Sequence, residues 1–115
     1  MKLTSEIAAF EEEKKRTHDR DVLDMIDATT ADLVATSIAT QALTKGDTAP
    51  NFALPDHQGN TVRLADLLAS GPVLINFYRG EWCPYCNLEL RAYQSQLDRI
   101  QKVNASLIAI SPMLP

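Results

Sequence analysis

Leu3, Ile7 and Phe10 recur at helical spacing and share a face with Lys14, while Glu11, Glu12, Glu13, Lys15 and Arg16 surround that stripe. This pattern predicts an amphipathic helix that Thr4 or Ser5 caps, with the Glu11–Arg16 charges on a solvated face. Asp19 to Ala42 reads as more helix, with Val22, Met25, Ile26, Leu33, Ser37 and Ile38 near one stripe. The β-branched pair Thr29-Thr30 is expected to break it, with Thr30 capping a second helix. At Lys45-Gly46-Asp47-Thr48-Ala49-Pro50 the pattern stops, because Gly46 suits a helix end and Pro50 bars continuation. Residues 1–45 are therefore expected to be an N-terminal helical arm, and 46–115 a second region.

In that second region the period falls to two. Asn51-Phe52-Ala53-Leu54 and Thr61-Val62-Arg63-Leu64 alternate like strands around the turn-rich Asp56-His57-Gln58-Gly59-Asn60, which predicts a β-hairpin. Ala65 to Ala69 reads as a helical turn ended by Ser70-Gly71-Pro72. Val73 to Tyr78 is almost continuously apolar and β-prone, as in a strand buried on both faces of a parallel sheet. Stripes through Leu88 and Ala92, and through Leu90, Tyr93, Leu97 and Ile100, predict one helix from Pro84 to about Lys102. Leu107-Ile108-Ala109-Ile110 is a second buried-type strand, stopped by Ser111-Pro112. Strand, helix and strand form a βαβ unit, so the expected class is α/β: helical arm, β-hairpin and one βαβ unit.

Composition narrows the function classes. The chain has 115 residues, 45% of them hydrophobic, which suits a globular protein of one domain's length. A formal net charge of -4 argues against nucleic acid as a partner, which would need a basic face. No apolar stretch approaches the ~18–20 residues of a membrane span. Met1-Lys2-Leu3 leads into acidic, helix-patterned residues, so no secretory signal and a cytoplasmic, reducing setting are expected.

Both cysteines of the chain, Cys83 and Cys86, lie at the junction between the apolar run and the following helix. A thiol reacts as thiolate, and a helix N-terminus stabilises that charge. Pro84 suits the first helical position, where an N–H has no partner to lose. Arg79 adds positive charge nearby, and Glu81 opposes it. Cys86, one helical turn further on, can reach back to Cys83 and is expected to be the more buried of the two. Cys83 would attack and Cys86 would resolve into a Cys83–Cys86 disulfide. Two alternatives stand beside this redox reading. Zinc needs about four ligands, and neither His18 nor His57 has ligand-like spacing, so no metal or cofactor is expected. The other is a pair of inert core thiols. His57 reads as a solvated turn residue and Trp82 as a packing residue at the mouth of the site, while Asp56 and Glu89 are carboxylates with no evident partner.

Gly46-Asp47-Thr48-Ala49-Pro50-Asn51-Phe52-Ala53-Leu54-Pro55, then Phe77 to Leu90 around Cys83-Pro84-Tyr85-Cys86, then Ala109-Ile110-Ser111-Pro112 resemble the peroxiredoxins of the alkyl hydroperoxide reductase/thiol-specific antioxidant (AhpC/TSA) family. The helical arm is similar to that of a peroxiredoxin-like branch. The resemblance implies a thioredoxin-like fold and a thiol-dependent peroxidase. Its substrate would be a hydroperoxide, its peroxidatic residue Cys83, and its reductant an external thiol of thioredoxin, glutaredoxin or glutathione type. Arg79, Trp82 and Pro84 would support the site. Gly80 stands three residues before Cys83, where typical members carry a hydroxyl that helps activate the peroxide. Cys-Pro-Tyr-Cys is the glutaredoxin tetrad, so a thioredoxin/glutaredoxin-like dithiol–disulfide oxidoreductase is the alternative. The family fold continues beyond the βαβ unit, whereas this sequence ends at Met113-Leu114-Pro115. The expectation is thus an incomplete thioredoxin-like domain with an unpaired edge on the Val73–Tyr78 strand, which favours a homodimer or larger assembly. A shortened, inactive chain that folds by association is the remaining alternative.

Overall fold

A computed structural model describes residues 2–114. The chain falls into two compact units, the first ending at Ala49 and the second beginning at Pro50.

In the first unit, α1 spans Lys2–Thr17 and α2 spans Arg20–Ala35, followed by a 3₁₀ turn at Ile38–Gln41. Because α1 starts at Lys2, Thr4 and Ser5 sit inside its first turn rather than at its cap. The Ser5 hydroxyl donates back to the Lys2 carbonyl at 2.8 Å. Three ion pairs, Glu11–Lys14, Glu12–Lys15 and Glu13–Arg16, follow the charge pattern at spacing three. Asp19 caps α2 by accepting from the Asp21 N–H at 3.0 Å. The expected break at Thr29-Thr30 does not occur. Both hydroxyls donate to carbonyls one turn back, Met25 at 2.9 Å and Ile26 at 3.0 Å. That bond satisfies the hydroxyl inside the helix, so the β-branched pair is absorbed. Leu23 is buried, whereas Met25, Leu33, Val34 and Ile38 are exposed.

The second unit opens with an antiparallel hairpin, β1 (Ala53–Pro55) and β2 (Thr61–Arg63), in which Leu54 faces Val62. Asp56 builds its turn. One carboxylate oxygen accepts from the Gln58 and Asn60 N–H groups, each at 2.9 Å. Chiefly through the Asn60 N–H, these bonds hold the Asp56 carboxyl below the usual carboxylate range. Asp56 is therefore a turn-forming carboxylate with backbone partners. A short helix, α3 (Leu64–Leu68), buries Leu64. β3 (Val73–Phe77) then pairs in parallel with β4 (Ser106–Ile110), Val73 beside Ser106 and Phe77 beside Ile110.

Between them run α4 (Pro84–Ser95) and α5 (Leu97–Lys102), where one continuous helix was expected. The Gln96 N–H bonds the Tyr93 carbonyl at 2.9 Å, three residues back, and the backbone leaves the α region at Gln96. No proline or glycine marks this break. β3 also departs from two-faced burial: Leu74 is 42% and Phe77 75% exposed, whereas Asn76 is buried. Among the described residues β3 pairs with β4 alone, so its other edge has no strand beside it.

Candidate functional site: a dithiol at a helix N-terminus

The strand hands the chain to the helix through a tight turn. The Tyr78 N–H still bonds the Ile110 carbonyl at 2.9 Å, which extends the β3–β4 ladder by one step. Gly80 follows, buried and at φ +156°, and its carbonyl accepts from the Cys83 N–H at 3.1 Å. Cys83 is the N-cap of α4, and Pro84 takes the first helical position. The Cys83 carbonyl receives the first intrahelical bond, from the Asn87 N–H at 3.0 Å. Its sulfur accepts from the Cys86 N–H at 3.4 Å. A sulfur thus occupies the place that a serine or aspartate oxygen fills at ordinary helix starts, aligned with the positive end of the helix dipole.

The second thiol meets the first directly. The Cys86 S–H donates to the Cys83 sulfur at 2.8 Å, and the Cys86 sulfur accepts from the Arg79 backbone N–H at 3.4 Å. A disulfide requires about 2.04 Å between sulfurs, so a shift below ~1 Å closes the bond. The Arg79 guanidinium donates to the Cys83 sulfur at 3.5 Å. It also lies over the Trp82 ring, 4.9 Å from the centroid. Burial pushes the Cys83 thiol up, but the hydrogen bonds from the Cys86 thiol and backbone N–H and the Arg79 charge outweigh it. The net direction is down. The same sulfur raises the Arg79 pKa, first through the shared hydrogen bond.

The relative burial of the two thiols is the reverse of the sequence expectation. Cys83 is 1% exposed, and Cys86 is half-buried. Capping explains it. The Cys83 sulfur is bonded back onto the first turn of the helix, while Cys86, three residues into it, keeps part of its surface exposed.

Arg79, Trp82, Cys83, Pro84 and Cys86 come together in this turn. His57 and His18 do not join them: His57 lines a groove by the hairpin, and His18 closes α1, its Nδ1 3.1 Å from the Thr17 hydroxyl. Among the described residues no three His, Cys, Asp or Glu side chains gather as metal ligands. Sequence reasoning missed Asn87 and Met113. The Asn87 side-chain amide donates to the Glu81 carbonyl at 2.8 Å and ties the turn to the helix. Met113, distant in sequence, brings its sulfur beside Gly80. An asparagine one turn into a helix is a local signal that could have been read; nothing local marks Met113. A groove of about 720 Å³ runs beside the site, lined by Phe52, Leu54 and Val62 on the hairpin side, by β4, and by Tyr78, Glu81 and Met113.

The family model described as the AhpC/TSA family matches residues 45–114. A chloroplastic peroxiredoxin Q of Triticum aestivum is 32% identical over 77 residues, covering 67% of this chain and 35% of the relative. Peroxiredoxin Bcp of Escherichia coli is 33% identical over 73 residues, covering 64% of this chain and 46% of the relative. The thiol-disulfide oxidoreductase ResA of Bacillus subtilis is 31% identical over 71 residues, covering 62% and 38%. The chain thus spans less than half the length of these curated relatives. No solved structure matches it.

Proposed function

The chain belongs to the AhpC/TSA family and carries an incomplete thioredoxin-like α/β fold, and from that premise we propose that it is a thiol-dependent peroxidase whose working residues are Cys83 and Cys86. The observation that carries this reading is the 2.8 Å contact between a sulfur that caps a helix and a second thiol donating to it.

In the proposed cycle the Cys83 thiolate attacks the terminal oxygen of a hydroperoxide. The O–O bond breaks, the sulfur is oxidised to the sulfenic level, and the leaving alkoxide takes the hydroperoxide proton to depart as an alcohol, or as water when the substrate is hydrogen peroxide. Cys86 then attacks the sulfenic sulfur. The oxygen leaves as water, its protons coming from the thiol and the solvent, and the Cys83–Cys86 disulfide forms. An external dithiol of thioredoxin or glutaredoxin type, or glutathione, returns both sulfurs to thiols by exchange. Arg79 stabilises the attacking anion, and Pro84 starts the helix whose dipole supports it. We place the protein in the cytoplasm, where such a dithiol is kept reduced. The chain has no helix long and apolar enough to cross a membrane among its described residues. The open β3 edge, with Leu74 and Phe77 exposed, supports association of two copies. Light scattering that returns a monomer mass at micromolar concentration refutes that part.

Cys86→Ser tests the cycle. Peroxide treatment should leave Cys83 as a sulfenic acid that dimedone traps, while the wild type yields the Cys83–Cys86 disulfide. Dimedone-negative Cys83 after peroxide loss would overturn the assignment. Gly80 and the similarity to ResA favour a second reading, dithiol–disulfide exchange, because no hydroxyl precedes Cys83 at that position. Insulin reduction without peroxide consumption would select it.

A further inference from the structure

Gly80 stands where a side chain would collide with two others. A Cβ built there would lie 2.5 Å from Trp82 Nε1, 2.9 Å from Trp82 Cδ1 and 2.7 Å from the Met113 sulfur. The space beside the Gly80 backbone is thus taken by the edge of the indole. That indole is exposed on its other side and carries the Arg79 guanidinium 4.9 Å from its centroid. The same guanidinium reaches the Cys83 sulfur at 3.5 Å. No carboxylate pairs with Arg79 among the described residues, and the Trp82 ring is a surface on which its exposed guanidinium rests.

We propose that Trp82 is a positioning residue for the dithiol: its indole, seated against the bare Gly80 backbone, holds the Arg79 guanidinium on the Cys83 sulfur. Gly80 is then part of the same device, since a Cβ there would meet both the ring and the Met113 sulfur, and its φ of +156° favours glycine. The inference deepens the redox reading of this turn, but its test needs no peroxide. The charged and titratable groups in contact with the sulfur are Arg79 and Cys86. Glu81 lies in the same turn and is exposed.

The experiment follows alkylation of Cys83 by iodoacetamide in the reduced full chain, by peptide mass spectrometry, across pH. Trp82→Ala should move the midpoint of the profile to higher pH and slow alkylation about two-fold on its acid side, because stacked arginine is released. Trp82→Phe, which keeps a ring, should lie between Trp82→Ala and the wild type. In an Arg79→Met background Trp82→Ala should add no shift. Equal shifts with and without Arg79, or an unchanged profile in the folded Trp82→Ala chain, overturn the proposal. A chain that shows this dependence and turns over no peroxide refutes the peroxidase reading alone.

Discussion

Replacing Arg79 by methionine removes one positive charge 3.5 Å from the Cys83 sulfur and leaves a stem of similar length. Two opposite unit charges at that distance attract by about 1 kcal/mol in a water-like dielectric. That dielectric is the appropriate limit because Arg79 is exposed, and exposed pairs are strongly screened. At about 1.4 kcal/mol per factor of ten, the thiolate population on the acid side of the titration falls roughly five-fold. The remaining thiolate is more basic and, with a Brønsted coefficient of about 0.4–0.5, about two-fold more nucleophilic. The net alkylation rate should then drop about two- to three-fold at low pH. Above both midpoints the population term vanishes, and the variant should react about two-fold faster than the wild type. The signature is a crossing of the two pH–rate profiles, measured with iodoacetamide on reduced chains under argon. Sodium chloride at about 1 M should shrink the difference, since screening acts on the same pair. Profiles that stay parallel, with the variant slower or faster at every pH, would refute the idea that Arg79 acts through thiolate charge. They would point to a changed accessibility of the buried sulfur instead.

Two further substitutions probe the frame around the site. Asn76 is buried in β3 and its side-chain oxygen has no hydrogen-bond partner among the described residues, so Asn76→Leu should raise stability in urea unfolding by about 1–3 kcal/mol; a loss of that size would mean that the amide is satisfied. Gly71 has φ +146°, and a Cβ there would overlap the Asn104 carbonyl oxygen at the entry to β3, so Gly71→Ala should destabilise by at least about 1–3 kcal/mol in the same assay, whereas an unchanged midpoint would refute the clash.

The dithiol turn at the strand-to-helix junction was legible because three local signals coincide: an apolar β-prone run, a thiol pair one helical turn apart, and a proline just after the first thiol. Each has a local physical cause, so each survives without knowledge of the rest of the fold. What the sequence hid depends on how side chains meet across distance or on a choice between two satisfied states. Cys86, one helical turn into the helix, was expected to be the more buried thiol, yet Cys83, whose sulfur caps the helix, is the buried one. Thr29-Thr30 was expected to end a helix, but the hydroxyl bonds to Met25 and Ile26 let the helix run on. The break at Gln96 carries no residue signal, since it follows from one N–H choosing the carbonyl three residues back over four. Met113 reaches Gly80 only because β4 lies beside β3. Asn76 sits mid-strand with its side chain buried, although the surrounding run promised only apolar contacts.

In the proposed cycle the Cys83 sulfur is the nucleophile that attacks the peroxide bond and takes up its oxygen, and Cys86 then completes the disulfide. A single-turnover titration measures it most directly. Reduced protein is mixed with substoichiometric hydrogen peroxide or an organic hydroperoxide, and peroxide loss, free thiols and disulfide peptides are counted together. Two thiols should be lost per peroxide consumed, with a Cys83–Cys86 peptide in the wild type and no protein-dependent peroxide loss in Cys83→Ser. Peroxide consumption at the wild-type rate in Cys83→Ser, or no consumption by the fully reduced wild-type chain, would contradict it.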